Sequence, residues 1–358
     1  MRRLGRAREF WIFLFLLAIY VFLLILKPQF RNLDNQLIVV RQFSWIAIVA
    51  VGMTMVIITA GIDLSIGSVL ALAACSMGKL VELGAILNMW LGVGTAIVLG
   101  PACGFLLVRH GMNAWASVAG GVLIGCVYGI LLLLRPVWAA VATGLIIGAV
   151  CGLLNGLAIT KLKIPPFIAT LGMMAMARGA TLIVTQSTYS ILPDALVESV
   201  GRGTWWGVPV PVCIMAVVAV WGAILLRHTT MGRYIYAIGG NEQAAALSGI
   251  RVELVKLVVY TLTGFLAALA GIVVAARSGS AQPTAGIGSE LNVIAAVIVG
   301  GTSLMGGEGS VIGTIIGAAI LGIIPCALIL FFIPADWQYI AVGAVIIIAV
   351  ALDRLKKR

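Results

Sequence analysis

The chain has 358 residues, 62% of them hydrophobic and 10% charged, with a net charge of +11 and a mean hydropathy of +1.17. A soluble domain of this length cannot hide so much apolar side chain, because its surface keeps pace with its size. Repeated apolar runs define instead an all-α, polytopic transmembrane bundle of about 10–12 spans, since roughly 20 apolar residues cross a bilayer. A transmembrane barrel would show alternating segments of about ten residues, which this chain does not. The basic residues occupy short hydrophilic connections and the termini, as the positive-inside bias requires, which argues against a nucleic-acid partner.

Residues 1–358 read as a single membrane domain. Arg2, Arg3, Arg6 and Arg8 precede the first run, Phe10–Leu26. No small-residue cleavage pattern follows it, so it reads as an uncleaved span with a cytoplasmic N-terminus. Further spans are predicted at Leu37–Ala60, Asp63–Leu83, Ile86–Val108, Ala114–Leu134, Val137–Thr160, Pro166–Gln186 and Pro209–Leu226. The last four are Leu254–Ala276, Leu291–Ser303, Ser310–Phe332 and Trp337–Leu352. Alternation places Arg109, Lys161, Lys163, the Arg227–Lys256 loop and the Arg354–Arg358 tail in the cytosol. Lys27, Arg31, Lys79, Arg135, Arg202 and Arg277 fall outside, mostly one to a connection.

Small residues recur four apart at Gly144, Gly148, Gly152 and Gly156, at Gly121, Gly125 and Gly129, and at Gly309, Gly313 and Gly317. Such ridges let helices pack closely and say nothing of a solute. Cys75, Cys103, Cys126, Cys151, Cys213 and Cys326 all lie in apolar runs without a C-x-x-C pair, and read as small hydrophobes. His110 and His228 lie in loops, and no metal site is expected.

Polar residues interrupt the apolar pattern at three places. At Ala60–Ser68, Asp63 and Ser65 either face a translocation cavity from a broken helix or simply cap the next helix, the second reading being the simpler. At Ala281–Glu290 and Gly300–Glu308, two glycine-rich breaks isolate an apolar stretch of about 13 residues, too short for a crossing. It reads as a half-length element, either in the pathway or a structural plug. Arg178 stands about 18 Å along its helix from Pro166. It either lines an outward cavity or snorkels to the outer interface, the snorkel being the simpler account. Asn155 and Gln186 are further candidates for contacting a polar solute. The loop Ser187–Val208, with Asp194, Glu198, Trp205 and Trp206, either docks an external protein or is an irregular interfacial connection.

The most distinctive stretch is Ile238–Arg251, a short polar, alanine-rich helix signal in an otherwise apolar chain. Asn241 caps its start, Glu242 suits the positive end of the dipole and Gly249 supplies a stop. Two turns are too few to be stable alone, so the segment is expected to gain order from a partner.

With these features assembled, the chain resembles the membrane permease subunits of bacterial ATP-binding-cassette importers for monosaccharides, the ribose/xylose/autoinducer-2 type. The matching stretches are Ala60–Ser68, Leu153–Thr170, Thr230–Ile250, Gly279–Gly286 and Ala295–Gly309. The resemblance implies a dimer of permeases in the bacterial inner membrane, cytoplasmic ATPase subunits and a periplasmic sugar-binding protein. It implies that residues 228–252 form a cytoplasmic coupling loop, whose helix enters a cleft on the ATPase. That role falls on Arg233, Gly239, Gly240, Asn241, Glu242, Gln243, Ala244, Ala245, Leu247 and Ser248. Candidate residues of the translocation path are Asp63, Ser65, Asn155, Phe167, Thr170, Arg178, Gln186, Thr302 and Ser303. The chain carries no G-x-x-x-x-G-K-[ST] phosphate loop, so it is not expected to be an enzyme or to bind a cofactor; ATP and Mg belong on the partner ATPase. A branched-chain amino acid permease and an ion-coupled secondary transporter remain as alternatives. Between Met77 and Leu145 the chain has about one helical hairpin more than a ten-span pattern requires.

Overall fold

The computed structural model describes residues 2–83 and 136–334, together with residues 337, 340, 343, 344 and 347. The expected spans Ile86–Val108 and Ala114–Leu134, the Gly121 repeat, Cys103, Cys126, Arg109, His110 and the Arg354–Arg358 tail lie outside the described residues, and Trp337–Leu352 largely so.

Helix α1 (Arg2–Leu26) leads through a 3-10 turn at Pro28–Arg31 into α2 (Leu33–Ile58). Asn32 caps α2 by accepting the Asp34 N–H at 3.0 Å, which satisfies one of the free amides at the helix start. Then follow α3 (Ile66–Leu83), α4 (Pro136–Thr160), α5 (Pro166–Thr185) and α6 (Val210–His228). Two short helices, α7 (Thr230–Gly240) and α8 (Glu242–Leu247), precede α9 (Val252–Ser278), α10 (Ser289–Val299) and α11 (Val311–Leu330). Helical turns at residues 194–202 and two-residue strands fill the connection between α5 and α6. Strands β1 (Ser190–Ile191) and β4 (Ser280–Ala281) pair antiparallel, as do β2 (Thr204–Trp205) and β3 (Val208–Pro209). Seven of the described helices are long and apolar enough to cross a membrane, and Phe10–Leu26 and α10 are shorter apolar helices. The chain is therefore an all-helical, multi-pass membrane protein.

The core gathers on α2, where every residue from Ile46 to Ile58 is buried. A helix apolar on all sides has no lipid-facing stripe, and α2 is wrapped by α6, α9, α10 and α11. The Gly144–Gly156 ridge of α4 packs on α9, and a side chain at Gly264 would strike the Gly148 carbonyl and the Gly152 backbone. Close backbone approach of this kind replaces the hydrophobic effect as the source of helix association in lipid.

Helix direction sorts the connections onto two ends. Lys161 pairs with Glu253, which places the α4–α5 turn beside the start of α9. Gly307 N–H donates to Ile58 O at 2.9 Å, which brings the turn after α10 to the same end. Lys27 lies 4.2 Å from the centroid of the Phe331 ring, and Ser190 pairs with Ala281, at the opposite end. The basic residues of the 227–256 loop thus share an end with Lys161 and Lys163, whereas Lys27, Arg202 and Arg277 share the other.

Candidate functional site

The first polar interruption is a compact capping turn. Asp63 Oδ1 accepts the Ser65 N–H at 2.9 Å and the Ser65 hydroxyl at 2.6 Å, which fixes the entry to α3. Asn155 on α4 donates from Nδ2 to Ser65 Oγ at 2.9 Å, and Thr170 on α5 donates to Ile62 O at 3.3 Å. One turn therefore ties three helices together. Asp63 is only 1% exposed, and burial raises its carboxyl above the ordinary value against the opposing effect of the two bonds from Ser65. The Tyr260 hydroxyl on α9 is buried without a hydrogen-bond partner among the described residues, and it closes over Gly61 in the same turn.

The second interruption is a broken crossing. Ala281 lies against Gly78 on α3, and the Gly286 carbonyl lies against Gly67 on the same helix. Eleven helical residues separate those two points, about 16 Å. The chain after α9 thus runs back into the bundle along α3 as a limb of successive turns, in which Ala285 N–H donates to Gln282 O at 3.1 Å and Ser289 N–H to Gly286 O at 3.1 Å, before α10 begins. Helix α10 has 11 residues, about 16 Å more, so limb and half-helix together match a bilayer core of about 30 Å. Gly286 (φ 73°) and Gly288 (φ 74°) take the left-handed conformations that turn the limb into α10. The Arg178 side chain is held by the limb. Its Nη1 donates to Pro283 O at 2.5 Å and Ala285 O at 3.1 Å. The two carbonyl acceptors supply the partners that a guanidinium within a span requires.

The third feature is the short helix. Asn241 Oδ1 accepts the Ala244 N–H at 2.9 Å and Gly249 has φ 82°, so the cap and the stop both form. Glu242 does more than suit the dipole: Lys256 Nζ lies 2.7 Å from its Oε1 and 2.8 Å from its Oε2, which moors α8 to α9. Ala245 is buried, whereas Gln243, Ala244, Ser248 and above all Leu247, 90% exposed, project outward. Helix α7 lies within the expected 228–252 loop, carries Arg233 on its surface and ends with Gly239 against the core and Gly240 exposed. A side chain on Gly239 would strike the Ile58 carbonyl and the Gly307 amide, and Tyr236 donates from its hydroxyl to Gly309 O at 2.7 Å. The base of the helical pair therefore touches both the end of α2 and the turn that follows α10.

The path candidates fall into separate stations. Asp63, Ser65, Asn155 and Thr170 meet in the capping turn. Thr302 and Ser303 are buried in the turn after α10, where Ser303 accepts the Met305 N–H at 3.3 Å. Phe167 is exposed near one end of α5, and Gln186, its left-handed C-cap, at the other. Tyr236, Tyr260 and Lys256 were missed. None of the three gave a sequence signal.

These features define an integral membrane protein with broken crossings and a small polar helix moored at one end, the architecture of a transport-system component. The family described as "Branched-chain amino acid transport system / permease component" matches residues 35–350, and the chain belongs to it. It is a permease component rather than a catalytic subunit. Similar proteins include the ribose import permease protein RbsC of Haemophilus influenzae, 39% identical over 95% of this chain and 91% of the relative. RbsC of Escherichia coli is 40% identical over 96% of this chain and 92% of its own length. The xylose transport system permease protein XylH of Escherichia coli is 35% identical, with coverages of 92% and 86%. No solved structure matches.

Proposed function

We propose that the chain is the inner-membrane permease subunit of an ATP-driven, binding-protein-dependent importer and forms the path for a ribose-type monosaccharide. The observation that carries this reading is near end-to-end similarity to ribose import permeases, joined to an exposed helix at one end. On this reading the chain is one permease domain, both termini and residues 228–252 are cytosolic, and α8 docks a separate ATPase that binds ATP and Mg. A periplasmic sugar-binding protein delivers the solute to the opposite end. The family description names branched-chain amino acids, but the similar proteins quoted above are sugar permeases, and that favours the sugar. A second copy completes the path: α5 is the least enclosed of the seven long helices, and side chains at Gly172 and Gly179 would meet nothing.

The test is uptake by the assembled complex in proteoliposomes supplied with ATP. Ribose accumulation that depends on both partners supports the reading. Leucine accumulation instead, or sugar uptake by this chain alone on an ion gradient, overturns it.

A further inference from the structure

We infer that the irregular limb at residues 282–288 is a wall of the solute path, and that Gln282 and Thr284 offer hydrogen bonds there to the hydroxyls of the sugar. The inference deepens the reading above and rests on it for the solute.

Four observations place the limb. Its ends are fixed against α3 at Gly78 and Gly67, so it lies at membrane depth and not in an outer loop. It is not helical, and its neighbour along the sheet edge, β1, pairs only with Ala281 and Ser280. Gln282, Thr284 and Ile287 are exposed, whereas Ala281 and Pro283 are buried. Gln282 and Thr284 therefore face away from the bundle, and Ala281 and Pro283 into it. Irregular backbone at membrane depth does not face hydrocarbon; it persists only where it is buried in protein or lines a water-filled cavity. The exposed face carries an amide and a hydroxyl, the chemistry that exchanges hydrogen bonds with a polyol without holding it tightly.

Arg178 has a definite part in this arrangement. It donates to the carbonyls of Pro283 and Ala285, the residues that flank Thr284. Those two acceptors are held by α5, while the Thr284 side chain between them is exposed. Arg178 is thus a positioning residue: it holds the limb open rather than touching solute. A half-helix that starts beside an unwound segment is how many transporters build a mid-membrane site.

The experiment uses the complete importer. Thr284→Cys and Gln282→Cys are treated with a charged, membrane-impermeant thiol reagent with and without ribose, and labelling is located by peptide mass. Val217→Cys, on an exposed apolar face of α6, is the control. Both limb positions are expected to label at least tenfold more than Val217→Cys, and ribose with its binding protein to slow labelling severalfold. No labelling in any nucleotide state would overturn the inference, including the case in which a second copy covers the limb dry. Labelling that ribose leaves unchanged would overturn the solute contact. Wild-type ribose uptake, run in parallel, separates failure of the limb from failure of the transport reading. Arg178→Lys, which keeps the charge but loses the fork, is expected to shift the labelling rate at Thr284→Cys while ATPase association holds. An unshifted rate would remove Arg178 from the positioning role.

Discussion

Asn155 on α4 and Ser65 at the head of α3 are joined by a 2.9 Å hydrogen bond, and the oxygen that accepts it donates in turn to Asp63 at 2.6 Å. The chain of donors is directional and buried. Asn155→Leu leaves the Ser65 hydroxyl without its amide, and is expected to cost about 1–3 kcal/mol of stability. Asp63→Ala, which abandons both the Ser65 N–H and its hydroxyl in the interior, is expected to cost more. Asp63→Asn keeps an oxygen in the accepting position and is expected to be mild. Thermal unfolding in detergent ranks the three. An Asn155→Leu protein as stable as the parent would show that the turn does not tie the helices.

The same carboxyl gives a pH dependence. Asp63 lies in the turn between two spans, and burial raises its pKa. For an acid raised on folding, the favoured form is the protonated one. Its contribution is full below the ordinary carboxylate value of about 3.9 and is lost as pH rises through the elevated value. The melting temperature of the parent should therefore fall with rising pH relative to Asp63→Asn. Parallel curves for the two proteins would refute the assignment.

How much of this was legible in the sequence depends on the kind of signal. Asn241 and Gly249 were readable because capping and left-handed stops are local chemistry. The half-length α10 was readable because its apolar stretch is bounded by glycine-rich breaks. The path of residues 281–288 was not, since only the contacts of Gly78 and Gly67 show that the chain turns back inward. Arg178 illustrates the limit well. Its depth followed from counting residues, but its partners are carbonyls more than a hundred positions away. Tyr236 and Lys256 were missed for the same reason, because their partners, Gly309 and Glu242, belong to other elements.

Lys256 and Glu242 form a two-oxygen ion pair in which the carboxylate is 54% exposed. Solvent screens such a pair, so Lys256→Ala is expected to cost about 0–1 kcal/mol and to lose its effect at high salt. Its consequence should appear in transport, as a looser hold of α8 on α9. A double-mutant cycle with Glu242→Gln, read as sugar moved per ATP hydrolysed, should show coupling between the two residues. Additive losses would mean that the mooring is incidental.

Gly239 sits where the end of α2 and the turn after α10 meet, and its neighbours there are backbone atoms that no rotamer change can clear. Gly239→Val must therefore push α7 away from Ile58 and Gly307. The expected result is an importer that still associates with its ATPase and hydrolyses ATP, while sugar uptake falls at least tenfold. Tyr236→Phe, which only removes the donor to Gly309, should give a smaller loss in the same direction. Normal uptake by Gly239→Val would show that movement of α8 reaches the broken crossings by another route.

Leu247 is an apolar side chain 90% exposed on the last turn of a six-residue helix, an arrangement without benefit to the chain alone. A surface change there should alter stability by no more than about 0.5 kcal/mol. Buried in a partner's cleft, however, the same side chain would contribute about 1.5–3 kcal/mol, and an aspartate would add the cost of burying a charge. Leu247→Asp is thus expected to leave the melting curve in place and to lower retention of the ATPase on co-purification by an order of magnitude or more. Because α8 is capped by Asn241 and moored by Glu242, the substitution changes the presented surface and not the helix. Undiminished retention would remove α8 from the docking role and leave Arg233, on the flank of α7, as the next position to substitute.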